Sequence, residues 1–265
     1  MIGREVAAFA GRHFEEQLKL NASYKLGNYE QALIDNFLKI DDLLDTAKGR
    51  IEISKISLED EKGSSTNGST LPGKETPAEM MDQYLFDMKG CTANVMLVKN
   101  DHIYIANAGD SRAVMGKKGR AIPLSIDHKP DNETEKERIF RAGGQVIDGR
   151  VEGNLNLSRA LGDLKYKKDK TLKPHEQLIS AYPEVKKFKV TPDLDFVVMG
   201  CDGIWEEKTC QDVCDFIYAE LDKNPEQKLS KICEKLLDSL VSPDYIATGG
   251  IGCDNMTIQI IKFKK

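Results

Sequence analysis

The sequence contains no long hydrophobic run and no excess of positive charge. No apolar stretch approaches the roughly 18 residues that a membrane-spanning helix requires, so we expect a soluble protein without membrane insertion. Acidic residues number 43 against 38 basic ones, and the formal net charge is −5. Because charges of the two signs are interspersed, we expect no non-specific binding to nucleic acid or to anionic membranes.

Paired-cysteine patterns are absent as well. The six cysteines are spread through the 265-residue chain without the spacing of a disulfide framework, which favours free thiols in a reducing compartment, cytoplasmic and/or nuclear. Cys210 and Cys214 lie four residues apart on a predicted helix, but neither a second pair nor a nearby histidine accompanies them. We therefore interpret them as packing residues and not as zinc ligands.

Hydrophobic periodicity predicts several helices, and the 40% hydrophobic content is sufficient for a sizeable core. Apolar residues at helical spacing place these helices over 3–20, 28–47, 132–142, 209–221 and 226–240. Asn132 and Glu135 resemble a capping box at the start of the third helix. Residues 59–83 lose all periodicity, which predicts a flexible surface loop within a single domain spanning 1–265.

Runs rich in β-branched and apolar residues predict strands between the helices. These strands cover 93–98, 102–107, 112–116, 120–124, 145–153, 184–190, 195–201 and 255–263. Short turns separate the first four, which predicts an antiparallel meander. Grouped helices and antiparallel strands together indicate an α+β sandwich with helices on the outer faces of the sheets.

Three aspartates stand at or near the ends of such runs, beside glycine or asparagine. They are Asp110, Asp202 and Asp254. Acidic side chains at strand ends, next to residues that let the backbone turn sharply, are a common way of presenting carboxylates to hard metal ions. Their spacing therefore predicts a divalent-metal site at one edge of a sheet.

Each aspartate has a structural alternative when it is taken singly. Asp110 could close a tight turn, Asp202 could cap a helix that begins near Gly203, and Asp254 could form an Asx-turn. The structural role is the favoured one for any single aspartate. Three aspartates in similar surroundings shift the balance towards a metal site.

Six segments of the chain, in the same order, resemble consecutive motifs of the protein phosphatase 2C family. These segments are Gly90-Cys91-Thr92-Ala93, Ile105-Ala106-Asn107-Ala108-Gly109-Asp110-Ser111-Arg112-Ala113-Val114, Leu124-Ser125-Ile126-Asp127-His128-Lys129-Pro130, Asn156-Leu157-Ser158-Arg159-Ala160-Leu161-Gly162-Asp163, Cys201-Asp202-Gly203-Ile204-Trp205 and Asp254-Asn255-Met256-Thr257. Residues 3–7 also resemble the sequence that follows the family's Asp-Gly-His-Gly-Gly signature.

The resemblance implies a four-layer α-β-β-α sandwich of antiparallel sheets and an intracellular, signalling enzyme. Members of this family hydrolyse phosphoserine and phosphothreonine on proteins, with two Mg²⁺ or Mn²⁺ ions and a metal-activated water as the nucleophile. Phosphoproteins are the implied partners. No side chain of this chain is assigned as catalytic, because the family's candidate general acid is a histidine of the first signature.

The resemblance also assigns metal ligands and substrate contacts. Asp202 and Asp254 would serve the pair of metal ions, and Asp110 with Asp202 would hold a weaker third ion. Asp163, Arg159 and Asn255 would contribute to the outer metal shell or to substrate binding. A turn is an equally good interpretation for Asp163, and a structural ion pair is the favoured one for Arg159.

The start of the chain differs from the family pattern. Met1 and Ile2 stand where the family has the histidine and the first of the two final glycines, so the bridging aspartate would precede Met1. Two dications about 4 Å apart repel by roughly 17 kcal/mol at an effective dielectric constant of 20, which makes a bridging carboxylate hard to replace. We therefore expect missing N-terminal strands, weak metal binding and little turnover. A catalytically silent pseudophosphatase or phosphoprotein-binding module is the alternative.

Overall fold

The computed structural model describes residues 3–61, 86–244 and 246–263. They form two compact units, Met1–Ala93 with His128–Pro183 and Asn94–Asp127 with Glu184–Lys265. The predicted flexible loop lies outside the described residues from 62 onward, as do Met1 and Ile2. The interpretation of 1–265 as a single domain stays a prediction.

Helices and strands alternate in groups along the chain. The helices in the described part are α1 (Arg4–Leu20), α2 (Ala22–Lys25), α3 (Tyr29–Leu44), α4 (Ala47–Glu61), α5 (Glu133–Arg141), α6 (Asp202–Trp205), α7 (Cys210–Lys223) and α8 (Leu229–Leu240). The strands there are β1 (Gly90–Cys91), β2 (Ala93–Lys99), β3 (His102–Ala108), β4 (Arg112–Lys117), β5 (Arg120–Pro123), β6 (Val146–Ile147), β7 (Arg150–Val151), β8 (Leu161–Gly162), β9 (Glu184–Lys189), β10 (Leu194–Gly200) and β11 (Ile258–Lys262). None of these helices combines the length and the apolar composition needed to cross a membrane.

The first unit is built on α1, α3 and α4, which pack against one another. Their shared interior is formed by fully buried apolar side chains on the stripes that the helical spacing predicts, among them Val6, Phe9, Leu33, Phe37 and Ile40. The ring of Phe14 meets that of Phe37 edge-on, with centroids 5.4 Å apart. The two N-terminal helices predicted from the sequence are confirmed.

Helix α4 was not predicted. Its isoleucines do not form a single stripe, because Ile53 and Ile56 are buried whereas Ile51 is 57% exposed. Gly49, in the first turn, also lowers the intrinsic helix propensity. Packing against α1 and α3 stabilises this segment as a helix. That packing cannot be predicted from the local sequence pattern.

The predicted strand over 145–153 is wrong. The segment is a hairpin in which β6 and β7 pair antiparallel, with Val146 opposite Val151. Asp148 and Gly149 form the turn, and their φ angles of 49° and 71° are those of a tight turn that asparagine, aspartate and glycine tolerate best. The Asp-Gly pair was the overlooked signal.

Helix α5 carries a buried carboxylate that belongs to an ion-pair network. Glu135 accepts hydrogen bonds from Arg159 (Nη2 to Oε1, 2.6 Å), from Arg138 (Nη2 to Oε2, 2.9 Å) and from the Ser158 hydroxyl (2.8 Å). The predicted capping box with Asn132 is therefore wrong, because Glu135 turns inward to these partners. Burial raises the pKa of Glu135, but Arg159 and Arg138 outweigh burial and lower it to about 2.

The second unit consists of two antiparallel sheets, in the strand orders β2-β3-β9 and β11-β10-β4-β5. The predicted meander of the first four strands is wrong in its pairing, since β3 and β4 belong to different sheets. The chain crosses from one sheet to the other at residues 109–111. A three-residue turn between two strands normally predicts a hairpin. Here the two strands belong to different sheets, which is decided by sheet packing and not by the turn sequence.

The central strand β10 has a buried side on each face. Val197 contributes to a core between the two sheets with Ile103, Ile105, Met115 and Leu124. The alternate residues Phe196 and Val198 face the other way and pack with apolar side chains of α7 and α8, namely Ile217, Ile232 and Leu236. Helix, sheet and sheet thus form three layers in this unit, and the predicted fold of helices on antiparallel sheets is confirmed.

Removal of the Glu135 charge is expected to destabilise the protein in a pH-dependent way. Because the folded-state pKa is lowered, the stabilisation is fully present above the unfolded-state value near 4.5 and disappears as the pH falls towards 2. The substitution Glu135→Gln should lower the free energy of unfolding by about 3 kcal/mol at pH 7. The difference from the unsubstituted protein should shrink between pH 4.5 and 2 in urea titrations.

Glu137→Gln is the matched control on the same helix. Glu137 pairs with Arg141 at the surface, where both side chains are more than half exposed, so its removal should change the free energy of unfolding by less than about 0.5 kcal/mol. Equal effects of the two substitutions would contradict a stabilising role for the buried network.

Candidate metal centre

Three chain segments of the second unit carry carboxylates that interact electrostatically at Asp202. Asp110 lies on the crossover between β3 and β4, Asp202 is the first residue of α6 directly after β10, and Asp254 precedes β11. Burial, and then the charges of Asp110 and Asp254, raise the pKa of the Asp202 carboxyl. These three side chains, called the carboxylate cluster below, are the ones that the sequence singled out.

The Asp110 turn is held by a buried amide. Asn107 donates from Nδ2 to the carbonyl oxygens of Gly109 (3.0 Å) and Ile126 (2.9 Å). Its Oδ1 accepts a hydrogen bond from Asn94 at 2.9 Å. Gly109 has a φ of 119°, a conformation that a residue with a side chain rarely adopts. The asparagine and the glycine together fix the direction in which Asp110 leaves β3.

The Asp202 and Asp254 segments are joined through Cys201 and Gly203. The Cys201 N–H donates to the Thr257 carbonyl (3.2 Å), and the Thr257 N–H donates to Cys201 Sγ (3.1 Å). Gly203 packs directly on the second segment, because a Cβ at this position would lie 2.7 Å from the Asn255 carbonyl oxygen. The free Cys201 thus links the two segments by hydrogen bonds. Burial raises the pKa of its thiol.

The guanidinium of Arg112, two residues after Asp110 in the sequence, binds side chains outside the cluster. Arg112 forms a two-pronged ion pair with Asp127, from Nε to Oδ1 at 2.9 Å and from Nη2 to Oδ2 at 2.8 Å. Its Nη1 lies 3.2 Å from Cys210 Sγ, and its Cζ is 5.4 Å from the Trp205 ring centroid. Arg112 therefore links β4, α6 and α7 while its charge is matched by Asp127.

A fourth carboxylate was missed in the sequence. Glu206 adds to the rise in the Asp202 pKa, which places its charge within electrostatic reach of the cluster. It follows Asp202 by four residues, about one helical turn along α6. An acidic residue four positions after a predicted metal-binding aspartate could have been predicted to lie near the same site.

Comparison with known proteins identifies the family of this chain. A family model described as "Protein phosphatase 2C" matches residues 1–246. The chain belongs to the protein phosphatase 2C family.

Relatives in this family of protein serine/threonine phosphatases match nearly the whole chain. "Probable protein phosphatase 2C 3" of Paramecium tetraurelia is 45% identical over 265 residues, covering 99% of this chain and 80% of the relative. "Probable protein phosphatase 2C 21" of Arabidopsis thaliana is 39% identical, covering 99% of this chain and 76% of the relative.

Solved structures show the same fold. A crystal structure of a serine-threonine phosphatase 2C from Toxoplasma gondii superimposes with a TM-score of 0.68 at 19% identity, covering 100% of this chain and 82% of that one. A C. elegans sex determining protein gives a TM-score of 0.66 at 23% identity, covering 99% of this chain and 54% of that one.

The carboxylate cluster of this phosphatase 2C family member fits a divalent ion in chemistry and in charge. Oxygen donors are the ligands that Mg²⁺ and Mn²⁺ prefer, and burial, followed by the charges of Asp110 and Asp254, raises the pKa of Asp202. Across residues 3–61, 86–244 and 246–263, however, no three His, Cys, Asp or Glu side chains are close enough to form a ready-made metal site. The three aspartates by themselves therefore do not form a complete set of metal ligands.

Of the other predicted site residues, two lie in the first unit and one lies beside Asp254. Asp163 and Arg159 belong to the first unit, where Arg159 donates to Glu135 and, from Nη1, to the Tyr182 carbonyl at 3.1 Å. These contacts favour the ion-pair interpretation of Arg159. Asn255 is exposed beside Asp254, to which its backbone N–H donates at 2.7 Å.

Asp163 is a buried carboxyl with a left-handed backbone. Its φ is 50°, and burial raises its pKa to about 6. Gly90 packs on it so closely that a Cβ there would lie 1.9 Å from Asp163 Oδ2. The contact explains why glycine is needed at position 90, and a role for Asp163 towards metal or substrate stays a prediction.

The close approach of Gly203 to Asn255 generates a test of the cluster's geometry. Gly203→Ala should displace the Asp254 segment, since overpacking of this kind costs about 1–3 kcal/mol. We expect Mn²⁺ affinity, measured by isothermal titration calorimetry, to fall by about 10-fold.

Gly11→Ala, in an exposed position of α1 with no atom within 4 Å of the added Cβ, is the control and should leave the affinity unchanged. Undiminished Mn²⁺ binding by a folded Gly203→Ala protein would show that the contact with Asn255 does not position Asp254.

Proposed function

We propose that this protein is a metal-dependent phosphatase that hydrolyses phosphoserine and phosphothreonine on proteins at the carboxylate cluster. The observation that carries the proposal is the convergence of Asp110, Asp202 and Asp254, each from a separate motif of the family. Membership of the protein phosphatase 2C family supports the reaction type. The substrates would be phosphoproteins.

The cluster would hold Mg²⁺ or Mn²⁺. Asp202 and Asp254 would ligate the ions of a binuclear site, and Asp110 with Asp202 would ligate a weaker third ion. When bound, such ions activate a water molecule for in-line attack on phosphorus and neutralise the phosphoryl oxygens. Glu206 would add negative charge at the edge of the same site.

The protein's own contribution is to hold the ligands in place. Asn107 fixes the turn before Asp110, and Cys201 joins the segments that carry Asp202 and Asp254. Arg112 braces β4 against α6 without adding an uncompensated positive charge to the cluster. Ligands held by rigid neighbours need no reorganisation during the reaction, which is the main protein contribution to metal-assisted catalysis.

Substrate contacts are proposed for three further residues. Asn255 would contact the substrate or the outer ligands of an ion from its exposed position beside Asp254. Asp163 would contribute as a buried carboxyl whose pKa lies closer to neutrality than that of an ordinary aspartate. Arg159 would act on substrate only with the donors that Glu135 and Tyr182 leave unoccupied.

Mn²⁺-dependent phosphate release from a phosphothreonine peptide tests the proposal. Asp202→Asn removes the charge at the centre of the cluster and should lower kcat/KM by at least about 100-fold. Asp238→Asn, at an exposed position of α8, is the matched control and should retain full activity. Chelation of metal should abolish release, and Mn²⁺ should restore it in the control but not in Asp202→Asn.

Three outcomes separate the alternatives. Phosphate release that survives Asp202→Asn would overturn the assignment of the site. A folded, monodisperse protein that releases no phosphate but binds the phosphopeptide would be a catalytically silent binding module. Inactivity with aggregation would indicate that the fold requires further strands.

A further inference from the structure

The second unit carries a groove at the end of β10 that is remote from the carboxylate cluster. Its volume is about 790 Å³. The groove is bounded by the beginning of β10, the end of β11, the last turns of α7 and the loop that follows α7. In the sheet, Phe196 of β10 pairs with Lys262 of β11. Asp202 follows the opposite end of β10, so groove and cluster occupy the two ends of one strand.

Part of the groove's lining is apolar or aromatic. It is formed by the side chains of Tyr218, Leu221, Pro225 and Phe263. The Tyr218 ring lies 4.9 Å from that of the buried Phe196, and its hydroxyl donates to Asp195 Oδ2 at 3.0 Å. Burial raises the pKa of Tyr218 to about 12, so the phenol keeps its proton and this hydrogen bond at neutral pH.

The rim of the groove is acidic. Asp195, Asp222 and Glu226 line it together with a single basic residue, Lys262. Asp222 and Glu226 are exposed, and no side chain in the described part of the chain forms an ion pair or a hydrogen bond with either carboxylate. Three carboxylates against one ammonium favour a basic ligand and disfavour nucleic acid or another anion.

We propose that this groove docks a short segment of a phosphoprotein substrate in which an apolar side chain is flanked by lysine or arginine. The apolar side chain would rest on Leu221, Pro225 and Phe263, and the flanking cations would pair with Asp222 and Glu226. An apolar anchor with a polar rim is the usual anatomy of a peptide site. That the bound segment belongs to a substrate rests on the proposed phosphatase function. That the groove binds an apolar side chain flanked by cations does not depend on that function.

The length of β10 sets the spacing within such a substrate. Asp195 lies near the start of β10, and Asp202 follows its end; the seven residues of β10 span roughly 20 Å at about 3.3 Å per residue. An extended peptide needs at least about six or seven residues to span that distance. The docking segment would therefore lie at least that far from the phosphorylated residue.

Two fluorescent peptides test the binding chemistry. Each carries phosphothreonine, a linker of eight Gly/Ser residues and either Arg-Lys-Leu-Arg or the same segment with Leu replaced by Gly. Fluorescence anisotropy should show tighter binding of the leucine peptide. Asp222→Asn with Glu226→Gln should weaken binding of that peptide by about 10-fold at low salt.

The double variant Glu234→Gln with Asp238→Asn removes two exposed carboxylates from α8 outside the groove and is the matched control. It should bind the leucine peptide as the unsubstituted protein does. Equal weakening in both double variants, or binding that does not depend on the leucine, would overturn the groove as the docking site and would indicate non-specific charge attraction.

Kinetics separate docking from catalysis. In the groove variant, KM for the leucine peptide should rise about 10-fold while kcat stays unchanged, and hydrolysis of a small chromogenic aryl phosphate should be unaffected. An unchanged KM would overturn the docking role. Absence of hydrolysis of the small substrate by the unsubstituted protein would overturn the proposed function, and the anisotropy measurement would still decide the groove.

Discussion

Carboxylates that converge repel one another, and the second unit depends on a framework that holds them together against this repulsion. At Asp202, burial raises the pKa of the carboxyl, and the charges of Asp110 and Asp254 raise it further. The framework is largely backbone: Cys201 exchanges hydrogen bonds with Thr257, and Gly203 lies against the Asn255 carbonyl. A divalent cation would remove the repulsion, so the same geometry that is unfavourable without a ligand favours binding of one.

The ion pair of Arg112 with Asp127 keeps this positive charge from neutralising the carboxylate cluster. A guanidinium directed at the cluster would neutralise it and compete with a metal ion for the same oxygens. Instead, Arg112 donates to the Asp127 carboxylate from Nε at 2.9 Å and from Nη2 at 2.8 Å. Its remaining nitrogen, Nη1, lies beside Cys210 Sγ. Arg112 can therefore tie β4 to α6 and α7 as a structural cation, while the negative potential of the cluster is preserved.

The sequence singled out the aspartates of the cluster, but it did not predict how the surrounding segments pair and pack. Asp110, Asp202 and Asp254 could be found because each combines a strand end with glycine or asparagine, and the strands themselves follow from runs rich in β-branched and apolar residues. The crossover at 109–111 and helix α4 could not be found, because both are decided by packing between distant segments. Glu135 was assigned to a cap for the same reason, since its partners Arg159 and Ser158 lie more than 20 residues away.

Strand β10 connects the two regions that we assign to chemistry and to docking. It is paired on both edges, by β4 and β11, and buried on both faces, so it is a rigid spacer. Its length of roughly 20 Å exceeds the Debye length of about 8 Å at physiological ionic strength. The acidic rim of the groove therefore contributes little to the field at the cluster. A ligand in the groove would act on hydrolysis by tethering, through the local concentration of the attached phosphoryl group, and not by altering metal binding.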